Sequence, residues 1–227
     1  MGTSKGYIAP STPSWSQAKR SVSKYLGNPC ITERGNVALK YAQAMSSGNY
    51  NFERVAKAFS GVISFSSNSS SHGYIVALRD IGREDLLSLS PAEVLSELIS
   101  LFANDGSTID DKIALDSISE SFQVLEVTVP EDLQNIDSSR LLKEMICQFA
   151  KLKFAQMFDK QIRNKCPVIE EANSRIMEMQ DFIYYTMDQR LTPDILRDIN
   201  PYNLANEGIV QDTLKKAFEL MEHYYGE

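Results

Sequence analysis

The sequence predicts an all-α protein. It reads as a single-domain multi-helix bundle over residues 14–227, behind an extended, flexible N-terminal tail over residues 1–13. Three observations carry this. Apolar residues recur three and four apart in segment after segment, the spacing that lines one face of an α-helix. Local start signals precede several of these segments, the clearest being Ser90-Pro91-Ala92-Glu93, where Ser caps, Pro takes the first helical position and Glu reaches back to the cap N–H. No strand–turn–helix alternation and no fixed-period repeat is present, which argues against a parallel sheet or a solenoid.

The elements follow in order. Ser14 or Ser16 opens a helix to about Leu26 with Trp15, Ala18, Val22 and Tyr25 on one face. Gly27-Asn28-Pro29 stops it, since Pro lacks an N–H and biases the preceding residue away from helix. Thr32-Glu33 opens the next, to about Met45, striped by Val37, Ala38, Tyr41 and Ala44. A third runs from about Phe52 to Ile63. The run Ser64–Gly73 (SFSSNSSSHG) is Ser-rich and offers little to bury. Ser and Asn compete there for backbone hydrogen bonds, so a mobile loop over 64–73, or a helix end that frays into one, is expected. Short helices follow over 74–80 and 90–102, the second ended by Asn104-Asp105-Gly106. Ser107 or Thr108 caps a helix to about Val124. Leu125–Val129 alternates but has no strand partner, and reads as an extended connector to Pro130.

Ser138 or Ser139 begins the longest helix, to about Lys165. Its apolar residues cover well over half its circumference, from Leu141 and Met145 through Phe149, Phe154 and Phe158 to Ile162. A helix apolar on most sides is surrounded by neighbours, so this is the expected core helix. Cys166-Pro167 turns the chain into a helix to about Leu191. A short helix from Thr192-Pro193 to about Ile199 and a last one over about 208–225 complete the bundle.

Composition excludes several classes. With 227 residues, 43% hydrophobic and 23% charged, the chain is globular rather than disordered. Its apolar runs are too short to span a bilayer, no secretory h-region is present, and Gly6 stands where the myristoylation pattern needs Ser or Thr. Three unpaired cysteines, Cys30, Cys147 and Cys166, fit a reduced cytoplasmic protein. With two histidines, each remote from any Cys, neither a metal site nor another cofactor is expected. No phosphate-binding glycine loop, zinc-protease motif or nucleophile elbow occurs, and Asp110-Asp111 and Glu170-Glu171 stand where acids favour a helix dipole. The chain is therefore expected not to be an enzyme.

The net charge of −7 is unevenly distributed. Residues 1–61 carry eight Lys/Arg against two Glu, a net of +6, which leaves −13 for the rest. Lys19, Arg20, Lys24 and Arg34 form a possible basic patch. It supports an alternative reading, a helical structural or regulatory subunit that binds nucleic acid or an acidic effector. The pI near 5.0 and the single Trp speak against a dedicated nucleic-acid binder.

The tail holds the residues that a core does not explain. Gly2 follows Met1, and Pro10 and Pro13 bracket Ser11-Thr12. Removal of Met1 would expose the α-amine of Gly2. The ordinary value for an α-amine, about 7.7–8.0, leaves a useful uncharged fraction at neutral pH. The opening Met1-Gly-Thr-Ser-Lys-Gly-Tyr-Ile-Ala-Pro10 resembles the start of the QatB family of the bacterial Qat anti-phage system, which begins Met-Gly-Thr-Ser and continues through a Tyr and a Pro. Lys5 and Ile8-Ala9 depart from that pattern. The resemblance implies a non-enzymatic, cytoplasmic defence component. It implies a protein partner similar to the deazaguanine-making QueC enzymes, with Gly2 as acceptor and Thr3, Ser4 and Tyr7 as the recognition segment.

Overall fold

A computed structural model describes residues 11–48, 50–192, 196 and 206–226, with side chains to residue 223. The expected tail over 1–13 lies outside the described residues as far as residue 10, and of the short helix expected over 192–199 only residues 192 and 196 are described. Among the described residues the protein is all-α, with no strand. The helices are α1 (Pro13–Gly27), α2 (Ile31–Ser46), α3 (Glu53–His72), α4 (Tyr74–Asp80), α5 (Pro91–Phe102), α6 (Ile109–Val124), α7 (Ser138–Lys165), α8 (Ile169–Arg190) and α9 (Glu207–Gly226). Short 3-10 turns at Glu84–Ser88, Asn104–Gly106 and Pro130–Asn135 join them.

The chain groups into two compact units. Unit 1 holds residues 1–51, 150–190 and 215–227; unit 2 holds 52–149 and 191–214. Helix α7 contributes to both, which is why its apolar residues run round most of its surface. Leu141, Leu142, Met145, Ile146 and Phe149 are buried in unit 2, and Phe154, Met157, Phe158 and Ile162 in unit 1.

In unit 1, α1 packs on α2 and α2 meets α8. Tyr41 of α2 is the hub of the core. Its ring meets Phe154 at 5.5 Å and Phe218 at 5.7 Å, both edge-on, and lies 6.4 Å from Trp15. Edge-to-face rings place the positive rim of one against the negative face of another. The Tyr41 hydroxyl, deep in this cluster, donates to the Ala150 carbonyl at 2.9 Å. Helix α1 starts earlier than an opening at Ser14 or Ser16 would place it, because Pro13 occupies the first helical position behind Thr12.

In unit 2, α3 packs against α4, α5, α6 and the 3-10 turn at Pro130–Asn135. Gly61 permits the approach of α5, since a Cβ there would lie 2.8 Å from Cδ1 of Phe102. The Ser-rich run, expected as a mobile loop or a fraying helix end, is the closing part of α3, which continues as helix to His72 before Gly73 (φ +86°) ends it. Packing overrides the weak local propensity. Phe65 is buried against Phe102, with ring centroids 6.0 Å apart, and the Ser66 hydroxyl donates to the Leu133 carbonyl at 2.7 Å. Ser71 returns its hydroxyl to the Ser67 carbonyl, so it does not unwind the helix it belongs to.

The helix ends of unit 2 follow local chemistry closely. Thr108 and Asp111 cap α6 reciprocally, the Asp111 N–H donating to Thr108 Oγ1 at 3.2 Å and the Thr108 N–H to Asp111 Oδ2 at 3.0 Å. Glu93 accepts the Ser90 N–H at 2.9 Å in front of α5. The segment expected as an extended connector begins as a Schellman turn. Glu126 takes φ +57°, and the Val127 N–H donates to the Phe122 carbonyl at 2.8 Å.

Candidate functional site

The tail residues Gly2, Thr3, Ser4 and Tyr7 lie outside the described residues. What is described is the root from which they extend. Thr12 precedes α1 in extended conformation and its carbonyl accepts the Ser16 N–H at 2.9 Å. Three residues on, Trp15 is wholly buried against Tyr41 and Phe158. A large ring sunk into the core so soon after Pro13 fixes the start of α1 in unit 1. No acidic residue stands in the first turn of α1. Hydroxyls gather there instead, with Ser14 Oγ 3.3 Å from both Thr12 Oγ1 and Ser47 Oγ. The buried indole N–H of Trp15 has no hydrogen-bond partner among the described residues.

The four cations of the expected basic patch separate. Arg20 and Lys24 are exposed one turn apart on the outer face of α1. Lys19 is half-buried, and its carbonyl accepts from Gln161 Nε2 at 2.7 Å. Arg34 is drawn into an ion-pair network, with Nη1 3.0 Å from Glu178 Oε1 and its guanidinium 5.8 Å above the Phe182 ring. Glu178 also accepts the Tyr25 hydroxyl at 2.5 Å and Arg175 Nη1 at 3.2 Å. Three helices, α1, α2 and α8, thus meet at one carboxylate. Burial alone would raise its pKa, but the hydrogen bonds from Tyr25 and Arg175 and the two guanidinium charges outweigh it and hold Glu178 below the usual carboxylate range. Burial, and then the hydrogen bond to Glu178, pushes the Tyr25 phenol well above its ordinary value. Such an arrangement clamps helices. It offers no nucleophile beside a base.

Sequence reasoning did not find this network. The pairs Glu171–Arg175 and Arg175–Glu178 are visible as four- and three-residue spacings on a helix. The links from Tyr25 and Arg34 are tertiary and have no local signal. Nor did it single out Lys153, a lysine 1% exposed with its ammonium 4.7 Å from the Tyr50 ring centroid.

The acid pair at Asp110-Asp111 serves structure. Oδ2 of Asp111 accepts from Thr108, from Ser107 Oγ at 3.0 Å, from Asn104 Nδ2 at 3.3 Å and from Arg54 Nη1 at 3.1 Å. Burial opposes ionisation there, but these hydrogen bonds and the Arg54 charge prevail and lower the pKa. The dense charges of 79–85 form surface pairs, Arg79 with Glu84 and Arg83 with Asp85 and Glu97. Among the described residues no three His, Cys, Asp or Glu side chains gather as a metal site would require.

Among the described residues the protein is all-α, built from two compact units, with charged clusters engaged in helix clamps and caps. Its family is given by the chain itself. Residues 42–221, most of the 227, match the family model described as Qat anti-phage system associated protein QatB. The chain belongs to the QatB family and is a component of an anti-phage defence system. No curated protein and no solved structure matches it. No described helix is long and apolar enough to cross a membrane.

Proposed function

We propose that the chain is a non-enzymatic accessory or substrate subunit of its defence system, which presents the Gly2 tail to a QueC-like partner enzyme for binding or modification. Membership of the family supports protein partners within one system. The observation that carries the finer reading is the root of α1. Trp15 anchors the chain in the unit 1 core, while residues 2–12 precede the first helix. At about 3.3 Å per residue those eleven residues reach up to roughly 36 Å when extended, enough to enter another protein's cleft. Gly2 has no side chain to obstruct an incoming acyl group. The chemistry is amide formation between its α-amine and an activated carboxylate, with loss of the activating group and a proton. Thr3, Ser4 and Tyr7 supply the hydroxyls and ring that a cleft can recognise.

The reading through a basic patch has less support, since Arg34 is committed to Glu178. Co-expression with the genomic neighbours, followed by intact-mass measurement, tests the proposal. An added mass on the chain lacking Met1, lost on deleting residues 2–8, is the expected result. Only the unadorned mass beside an active ligase-like partner contradicts it.

A further inference from the structure

Helices α1 and α8 meet in unit 1 at Tyr25, whose hydroxyl donates to Glu178 and whose ring lies 5.9 Å below the Arg175 guanidinium. Their outer faces have opposite character. On α8, Glu170, Met177, Asp181 and Tyr185 fall within an arc of about 80° at 100° per residue. All four are exposed, Met177 at 62% and Tyr185 at 65%. No Lys or Arg of α8 lies on that arc. On α1, the exposed charges are Arg20 and Lys24. The outer face of α1 is thus basic, and that of α8 acidic and partly apolar.

We propose that these two faces form an interface between two copies of the chain, related by a two-fold axis that lays α1 of each copy on the outer face of α8 of the other. Two-fold symmetry makes each contact occur twice, so a chain holding both halves of a complementary pair is suited to itself. Arg20 and Lys24 of one copy meet Glu170 and Asp181 of its partner, covering Met177 between the two acids and Tyr185 one turn beyond Asp181. The strips are about 33 Å (α8) and 22 Å (α1) long and about 10 Å wide, giving roughly 550 Å² a side. That is under the ~800 Å² per partner of a standard stable interface, so the dimer is a weak one that forms with rising concentration and dissociates with salt. This pairing does not involve the tail, and deletion of residues 2–8 leaves it intact.

Sedimentation equilibrium of the full chain over a concentration series, at low and at high salt, tests the proposal. A monomer–dimer equilibrium shifted to monomer by salt is expected. The variants Arg20→Glu/Lys24→Glu and Glu170→Lys/Asp181→Lys each weaken dimerisation roughly tenfold or more, and their combination restores it. Met177→Ala/Tyr185→Ala weakens it without changing its salt dependence. Far-UV circular dichroism checks that the variants remain helical. A monomer at every concentration in low salt overturns the proposal. So does a dimer indifferent to the α8 charges, or a combined variant that stays monomeric, since either would assign Arg20 and Lys24 to another partner such as a nucleic acid.

Discussion

In unit 1 the rings of Trp15, Phe154, Phe158 and Phe218 meet around Tyr41, and a hydroxyl and two guanidinium groups from three helices converge on Glu178. In unit 2 the recurring device is a carboxylate in the first turn of a helix: Glu93 in α5, Asp111 in α6, and Asp132 in the 3-10 turn, where it accepts the N–H groups of Thr128 and Val129. The charge counts follow the same division. Unit 1 has 15 Lys/Arg against 10 Asp/Glu, a net of +5, and unit 2 has 8 against 20, a net of −12, which together give the −7 of the chain. Part of the acidity of unit 2 is thus the chemistry of starting several short helices, each of which leaves donors to satisfy. The difference teaches that charge asymmetry along a chain can record helix ends as readily as a binding face.

Four perturbations separate the two halves, in order of falling effect. Tyr41→Ala removes the hub of unit 1 and should cost about 4 kcal/mol. The only Trp in the chain, Trp15, packs against that ring, so its fluorescence during chemical denaturation reports the loss directly. Asp111→Ala strips the α6 cap and leaves Thr108, Ser107, Asn104 and Arg54 short of an acceptor, at about 2 kcal/mol. Hydrogen exchange should then quicken at the start of α6 while α1 and α2 are unchanged. Glu178→Gln loosens the clamp of α1, α2 and α8. The group is partly solvated, so about 1 kcal/mol is expected, read as a small fall in the denaturation midpoint.

The last perturbation is pH, which should act on the units from opposite ends. Glu93, Asp111 and Asp132 have lowered pKa values in the fold. Their stabilisation is complete above the unfolded carboxylate values near ~4 and is lost as pH falls through the folded ones. Tyr25 and Tyr41 in unit 1 are raised by burial. Their neutral forms stabilise fully below the unfolded value near ~10, and that contribution is lost as pH rises through the folded values. Glu178 in unit 1 is also lowered and half-buried Tyr74 in unit 2 raised, so the contrast is one of degree. On acidification far-UV circular dichroism should change before Trp15 fluorescence, and on alkalinisation the order should reverse.

Most of the fold was legible because the helices carry their own periodicity, and α5 and α6 their own caps. Ser90-Pro91-Ala92-Glu93 forms the expected hydrogen bonds, and Val210, Leu214, Phe218 and Met221 are buried as their spacing requires. The failures lie where a distant residue decides. Ser64–His72 is helical because Phe102 and the Leu133 carbonyl receive Phe65 and Ser66, and nothing within the run announces either partner. Arg34 reads as an exposed cation until Glu178, far along the chain, is brought to it. The family was legible from the opposite end to the one that establishes it. The resemblance rested on Met1–Pro10, whereas the match spans 42–221, a helical body whose apolar spacing many families share.

The central claim concerns one atom, the backbone nitrogen of Gly2. Intact-mass analysis of the chain expressed with its whole defence system, with fragmentation to place any added mass, tests it most directly. The account predicts a chain lacking Met1 with an adduct confined to Gly2, absent when the ligase-like partner is inactivated. A chain that protects against phage while carrying no adduct and no bound partner at its N-terminus would contradict it.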